Sequence, residues 1–282
     1  MNKVRAGTRR RAAWILLISL CVIACAVSLR RGIALAYPPA SYPVPDLAAL
    51  DARFAAEPRL TYAHIIPAFV FAVLVPFQFA GWIRERHPAF HRWSGRVLIG
   101  VGTMAGLTAV FLSRHPIGGW FESAATLTFD ALFLFSLWTA FRMIRRRELA
   151  RHREWMLRAV AIALGVATVR PVMGIFFATS PLTHLTPHQF FGWAFWIGFM
   201  MNLTAIEIWI RRTRGATRFA WLPASRHDPR PIDTSAQHLA AYFAATAFSI
   251  AAITSGESGV VAGSKRATTL PSRSTRNLVK FH

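Results

Sequence analysis

The chain is poor in cysteine and in negative charge. Cys21 and Cys25 are its two cysteines, one helical turn apart in the first apolar run. No Cys-x-x-Cys-His haem-attachment motif and no zinc-ligand spacing is present, so covalent haem and structural zinc are excluded, and the pair reads as two small apolar residues. No phosphate-binding glycine loop, nucleophile elbow, His-Glu-x-x-His helix or acidic metal cluster occurs, which leaves a soluble-type hydrolase or ATPase without support. Aspartate and glutamate number 12 against 33 lysines and arginines, for a formal charge of +21.

What the sequence does contain is apolar length. Of 282 residues 54% are hydrophobic, the mean hydropathy is +0.36, and the apolar residues fall in runs separated by charged clusters. The runs approach the ~20 residues that a membrane-crossing helix needs. These features predict an integral membrane protein. A strongly basic chain elsewhere suggests nucleic acid. Here the arginines sit beside the hydrophobic runs, where anionic lipid headgroups and topology call for them, so nucleic acid is not an expected partner.

Residues 1–11 are basic and Ala12 to Leu29 is apolar. Ala34-Leu35-Ala36 resembles a signal-peptidase site, but the run is long for a signal core and Arg30-Arg31 intervene, so residues 1–36 read as an uncleaved signal anchor. Residues 37–60, with Pro38, Pro39, Pro43 and Pro45, read as an extracytoplasmic loop holding one short helix. Five further spans are expected at about 61–83, 94–113, 122–144, 155–178 and 188–210. The connections after spans two, four and six hold Arg84, Arg86 and Arg92, then Arg145 to Arg147, Arg151 and Arg153, then Arg211, Arg212, Arg214 and Arg218. Retention of Lys and Arg on the cytoplasmic face places both termini in the cytoplasm and the protein in the cytoplasmic membrane. The expected fold is an all-α, polytopic bundle of six transmembrane helices. Residues 61–210 form a five-helix membrane domain with two similar hairpins, and 211–282 a basic, mostly disordered cytoplasmic tail with a surface helix around 236–253. Trp82, Trp93, Trp120, Trp155, Trp193 and Trp209 fall near span ends, as interfacial anchors do.

Two basic elbows repeat one another. Ile83-Arg84-Glu85-Arg86 leads to His91-Arg92, and Ile144-Arg145-Arg146-Arg147 leads to His152-Arg153, with Trp93 and Trp155 and then Arg96 and Arg158 following. The topology puts His91 and His152 at one depth on parallel helices. Two neutral imidazoles so placed can be the axial ligands of a b-type haem. Arg92, Arg96, Arg153 and Arg158 are the cations available to its propionates. On the outer face His64 can pair with His115 or His188. The bland reading is interfacial composition, in which each His and Arg meets lipid phosphate.

Charges inside the apolar runs form a second constellation. Asp130 and Arg170 each lie roughly 12–14 Å from the outer surface at ~1.5 Å rise per residue, and intramembrane charges are by default paired. An Asp130–Arg170 ion pair is expected. Glu207, near the cytoplasmic end of span six, is expected to meet Arg96 or Arg158. Gln78 and Asn202 are expected to hydrogen-bond between helices. Gly118-Gly119 predicts a tight outer turn at which a ligand can approach backbone.

The string His64, Pro76-Phe77-Gln78-Phe79, His91-Arg92-Trp93-Ser94-Gly95-Arg96, Gly118-Gly119, His152-Arg153-Glu154-Trp155-Met156-Leu157-Arg158, Arg170, Asn202 and Glu207 resembles the bacterial predicted membrane protein family called domain of unknown function 2306, over about residues 60–210. The resemblance implies a multi-pass helical domain; the family has no established activity. It matches His64, His91 and His152, whereas His115, His184 and His188 fall outside its pattern. The leading functional expectation is haem b on His91 and His152 and transmembrane electron transfer, with a quinone or redox partner and His64 at an outer redox or proton site. The alternatives are a small-solute or proton-coupled transporter using Asp130, Arg170 and Glu207, and a lipid-interacting or assembly protein. The transporter reading requires a cavity reaching Asp130 and Arg170.

Overall fold

The computed structural model describes residues 2–41 and 45–220. The expected surface helix around 236–253 and the basic tail beyond residue 220 lie outside them, while residues 211–220, expected in the tail, continue α9. The described residues are helical: α1 (Asn2–Ala36), α2 (Pro45–Ala56), α3 (Pro58–Phe79), α4 (Gly81–Arg86), α5 (Pro88–Leu112), α6 (Gly119–Arg145), α7 (Leu149–Ala163), α8 (Gly165–Thr183) and α9 (Pro187–Ala220). Proline opens α2, α3, α5 and α9, where its missing N–H is one that a helix start leaves unbonded anyway.

Among the described residues, six stretches are long and apolar enough to cross a membrane: Arg11–Ala36, Pro58–Phe79, Pro88–Leu112, Gly119–Arg145, Leu149–Thr183 and Pro187–Arg214. Large apolar side chains such as Ile15, Ile66, Leu107, Phe135, Ile175 and Met201 point outward and are exposed. A water-soluble domain does not leave contiguous apolar surface of this extent uncovered; lipid covers it without cost. The described residues form an all-helical bundle with six candidate membrane-spanning segments. The helix expected in the 37–60 loop is α2.

The fifth span departs from the expected single helix. It breaks at Leu164, where the Ala167 N–H bonds to the Leu164 carbonyl, three residues back, at 3.0 Å. Two local causes coincide. Pro171 has no N–H to give the carbonyl of Ala167, and its ring crowds that carbonyl. Gly165 faces the Phe199 ring of α9 so closely that a Cβ there would stand 2.3 Å from Phe199 Cδ1.

Helix α1 packs on α3, α3 on α5, α5 on α6, α6 on α9, α9 on α8, and α8 back on α1. These contacts close a ring. Helix α7 lies outside that order, packed on α6 and α9. The ring has an elbow end, carrying the basic turns between α3 and α5 and between α6 and α7, and a loop end, carrying α2 and the 113–118 turn.

The two elbows differ in their backbone. The first contains the single-turn helix α4, and the second turns through Arg147 at φ 61°. Beyond them the register is the same. His91 is the fourth residue of α5 and His152 the fourth of α7, and their N–H groups close the first turn on the His87 carbonyl at 3.1 Å and the Glu148 carbonyl at 2.9 Å. Trp155, expected as an interfacial anchor, is instead 7% exposed. It packs edge-on to Phe135 and under the Arg158 guanidinium, 4.6 Å from the ring centre.

Candidate functional site

A cavity of about 250 Å³ lies in the loop-end half of the ring. Every helix of the ring reaches it. Its apolar wall includes Phe71, Phe129, Phe133, Phe195 and Phe199, and its polar wall is Arg31, Arg53, His64, Glu122, Asp130 and Arg170. The volume is below the ~300–1,000 Å³ typical of sites for drug-sized ligands, which points to a compact solute.

The charges divide into closed pairs and open groups. Asp51 of α2 accepts from both arginines at the end of α1: Arg30 donates through Nη1 and Nη2 at 3.0 Å each, and Arg31 through Nη1. Arg31 also stacks on Phe54, 4.0 Å from the ring centre. Arg53 donates to Glu122 at 3.2 Å and to the Leu112 carbonyl at 3.0 Å. The other oxygen of Glu122 accepts the Ile117 and Gly118 N–H groups at 2.9 and 2.6 Å. These bonds fasten α2 over the loop end of the cavity.

Asp130 and Arg170 are the open groups. They line the same cavity, but the expected ion pair between them is not formed. Asp130 Oδ2 and Arg170 Nε are buried and unpartnered. The one hydrogen bond of the Arg170 side chain among the described residues runs from Nη1 to Met173 Sδ at 3.9 Å, which is long even for sulfur. Equal depth on consecutive helices is not contact: the ring order sets α8 against α9 and α1, and α6 against α5, α7 and α9. The carboxyl leans instead toward α5, where a Cβ on Gly106 would stand 3.1 Å from Asp130 Oδ1.

His64 reaches the same stretch of α5. Its Nδ1 lies 3.0 Å from the Ala105 carbonyl and 3.2 Å from Thr108 Oγ1. A carbonyl only accepts, so Nδ1 carries the proton and Nε2 holds the lone pair in the neutral ring.

The histidines of the elbows are elsewhere. Neither His91 nor His152 lines the cavity. His152 Nδ1–H donates to the Ala140 carbonyl at 2.9 Å, while His91 Nδ1 is buried without a partner. Of the two partners expected for Glu207, the structure selects Arg158, with Nε to Oε1 at 2.5 Å and Nη2 to Oε2 at 3.2 Å. Arg158 is thereby held by a carboxylate rather than left open for a propionate, whereas Arg96 is exposed. Gln78 donates to Ser94 Oγ at 2.6 Å and to the His91 carbonyl at 3.3 Å, joining α3 to α5. Asn202 accepts from Thr168 at 2.8 Å and donates to the Ala161 carbonyl at 3.0 Å, bridging the broken fifth span. Gly118-Gly119 makes the expected turn, Gly119 at φ +65°. Its tightness is explained by packing, since a Cβ on Gly118 would meet the Gly192 backbone at 2.8 Å.

A model of the predicted membrane protein family DUF2306 matches residues 61–210, more than half of the chain. The chain belongs to this family. No curated protein and no solved structure matches it. The DUF2306 protein is thus an integral, multi-pass membrane protein, and the matched segment supplies His64, Glu122, Asp130 and Arg170. Arg31, Asp51 and Arg53 come from α1 and α2, outside that segment.

The charged cavity residues that sequence reasoning missed are Arg31, Arg53 and Glu122, together with Asp51, which holds Arg31. One signal was available. In a chain with 12 acidic residues, those at or inside the loop-end apolar boundaries are costly to place and so are held by partners.

Proposed function

We propose that the protein is a small-solute carrier of a bacterial inner membrane, with the cavity as its binding site and the elbow end facing the cytoplasm. The observation that carries the reading is the pair Asp130 and Arg170: oppositely charged groups on one cavity wall, neither satisfied by the protein. A buried charge without a partner costs several kcal/mol by rough reckoning, and proteins retain one where something else completes it. His64, with its proton fixed on Nδ1 and its lone pair on Nε2, is the group suited to couple a proton to solute movement. Support for this orientation comes from the exposed Arg84, Arg86, Arg92, Arg145, Arg146, Arg147, Arg151 and Arg153 at the elbows, which suit anionic headgroups of the cytoplasmic leaflet.

The test is access. With Cys21→Ser and Cys25→Ser as background, Ala109→Cys places a thiol on the cavity wall and His115→Cys an exposed control. A membrane-impermeant maleimide added to sealed vesicles should modify Ala109→Cys from the loop side and, more slowly, from the elbow side. If the control reacts while Ala109→Cys resists reagent from both sides, the carrier reading is wrong.

A second reading has one observation in its favour. His152 Nδ1–H is held by a backbone carbonyl, as metal-ligating imidazoles commonly are, which leaves Nε2 for an iron. In this reading His91 and His152 carry haem b at the elbow end. His91 Nδ1 has no such support, and the cavity lies at the other end, so the carrier reading is preferred.

A further inference from the structure

Around the cavity, arginine and carboxylate are matched except at one place. Arg31 is closed on Asp51 and Arg53 on Glu122. Arg170 and Asp130 remain, one short of an acceptor and the other short of a donor. A lone anion would satisfy Arg170 and leave Asp130 facing it. A lone cation would do the reverse. A molecule with a carboxylate at one position and an ammonium at another closes both and leaves the net charge of the site unchanged.

We infer that the solute is a compact zwitterion with an apolar body, of the class of aliphatic α-amino acids. This rests on the carrier reading and specifies its substrate. The planar guanidinium of Arg170, with Nε and most of its Nη hydrogens uncommitted, matches a carboxylate in a two-point grip. Asp130 accepts from the ammonium. Phe71, Phe129, Phe133, Phe195 and Phe199 enclose the hydrocarbon part. Glu122 is the weaker competitor for the ammonium, because its charge is already met by Arg53 and by two backbone N–H groups. The small volume excludes long chains, and Gly106 gives Asp130 its room: a Cβ there would also stand 2.6 Å from Leu134 Cδ2.

Three isosteric probes decide it: leucine, 4-methylpentanoate, which lacks the amine, and 3-methylbutylamine, which lacks the carboxylate. Binding to the purified full-length protein in nanodiscs is read by calorimetry and by protection of Ala109→Cys from maleimide. Leucine should bind about 10- to 100-fold tighter than either truncated probe, the range of one charge-assisted hydrogen-bonding interaction. Asp130→Asn should bring leucine and 4-methylpentanoate close together, and Arg170→Gln should do so for leucine and 3-methylbutylamine. Two conservative substitutions with opposite expected patterns distinguish loss of a contact from loss of fold. Equal binding of leucine and 4-methylpentanoate to the unsubstituted protein would make this an anion site and overturn the inference, as would equal binding of the amine. If Ala109→Cys reacts with maleimide but none of the three probes binds or protects it, the amino-acid class fails and the carrier reading stands. If Ala109→Cys does not react at all, both fail.

Discussion

Asp130 and Arg170 face one cavity from α6 and α8 without touching each other. Each would be the natural partner of the other, and the ring of helices holds them apart. Substitution therefore gives a direct check. Asp130→Asn and Arg170→Gln should affect unfolding in detergent additively, within about 0.5 kcal/mol, as groups without a shared contact do. A coupling energy well above that would place them in an ion pair.

Arg158 and Glu207 should behave in the opposite way. Arg158 is 6% exposed and makes two bonds to Glu207. Glu207→Ala leaves a buried guanidinium uncompensated, at a cost of about 3–5 kcal/mol. The double substitution Arg158→Met with Glu207→Leu should cost less than Glu207→Ala alone. Chemical denaturation of the three proteins in the same detergent measures this.

The break in the fifth span depends on Gly165 making room for Phe199. Gly165→Ala forces the ring to move and should destabilise by about 1–3 kcal/mol, the usual range for overpacking. Adding Phe199→Leu should recover a large part of the loss. Equal destabilisation with and without the second change would mean that the break does not rest on this contact.

Glu122 ties three chain segments together through Arg53, Ile117 and Gly118. Glu122→Ala removes those bonds, each worth about 1.5–3 kcal/mol when the acceptor is charged. The larger local consequence is release of α2. Trypsin should then cut at Arg53 or Arg59 faster than in the unsubstituted protein, by mass spectrometry of early digestion products.

The histidines of the elbows have their own readout. The haem reading requires that protein made with haem supplied show Soret and α bands in reduced-minus-oxidised spectra, lost in His152→Ala and in His91→Ala. Colourless protein retires that reading and leaves the carrier reading untouched.

Membrane spans were legible in the sequence because burial in lipid imposes a local rule: a run of apolar residues near a fixed length, with arginine held to one side. Gln78, Asn202 and Glu207 were legible as interhelical groups for the same reason, since a polar atom in an apolar run must find a partner nearby. The repeat of the elbows was likewise visible as spacing along the chain, but the helices begin earlier than expected, at Pro88 and Leu149, so that His91 and His152 lie inside them.

Which charges would meet was not legible, and depth alone misled. Asp130 and Arg170 share a depth, but contact also depends on the order of helices around the ring, and that order is set by long-range packing such as α1 against α8. The same closure brings Arg31 and Arg53, from helices outside the family segment, onto a cavity built mostly by it. Sequence by itself determined the six candidate spans of the described residues, though not the break in the fifth, and the residues too polar to be left alone there. Only the tertiary structure decided which of those were satisfied by one another and which, Asp130 and Arg170, were left for something else, because pairing is a property of neighbours in space and the chain specifies those only once the ring has closed.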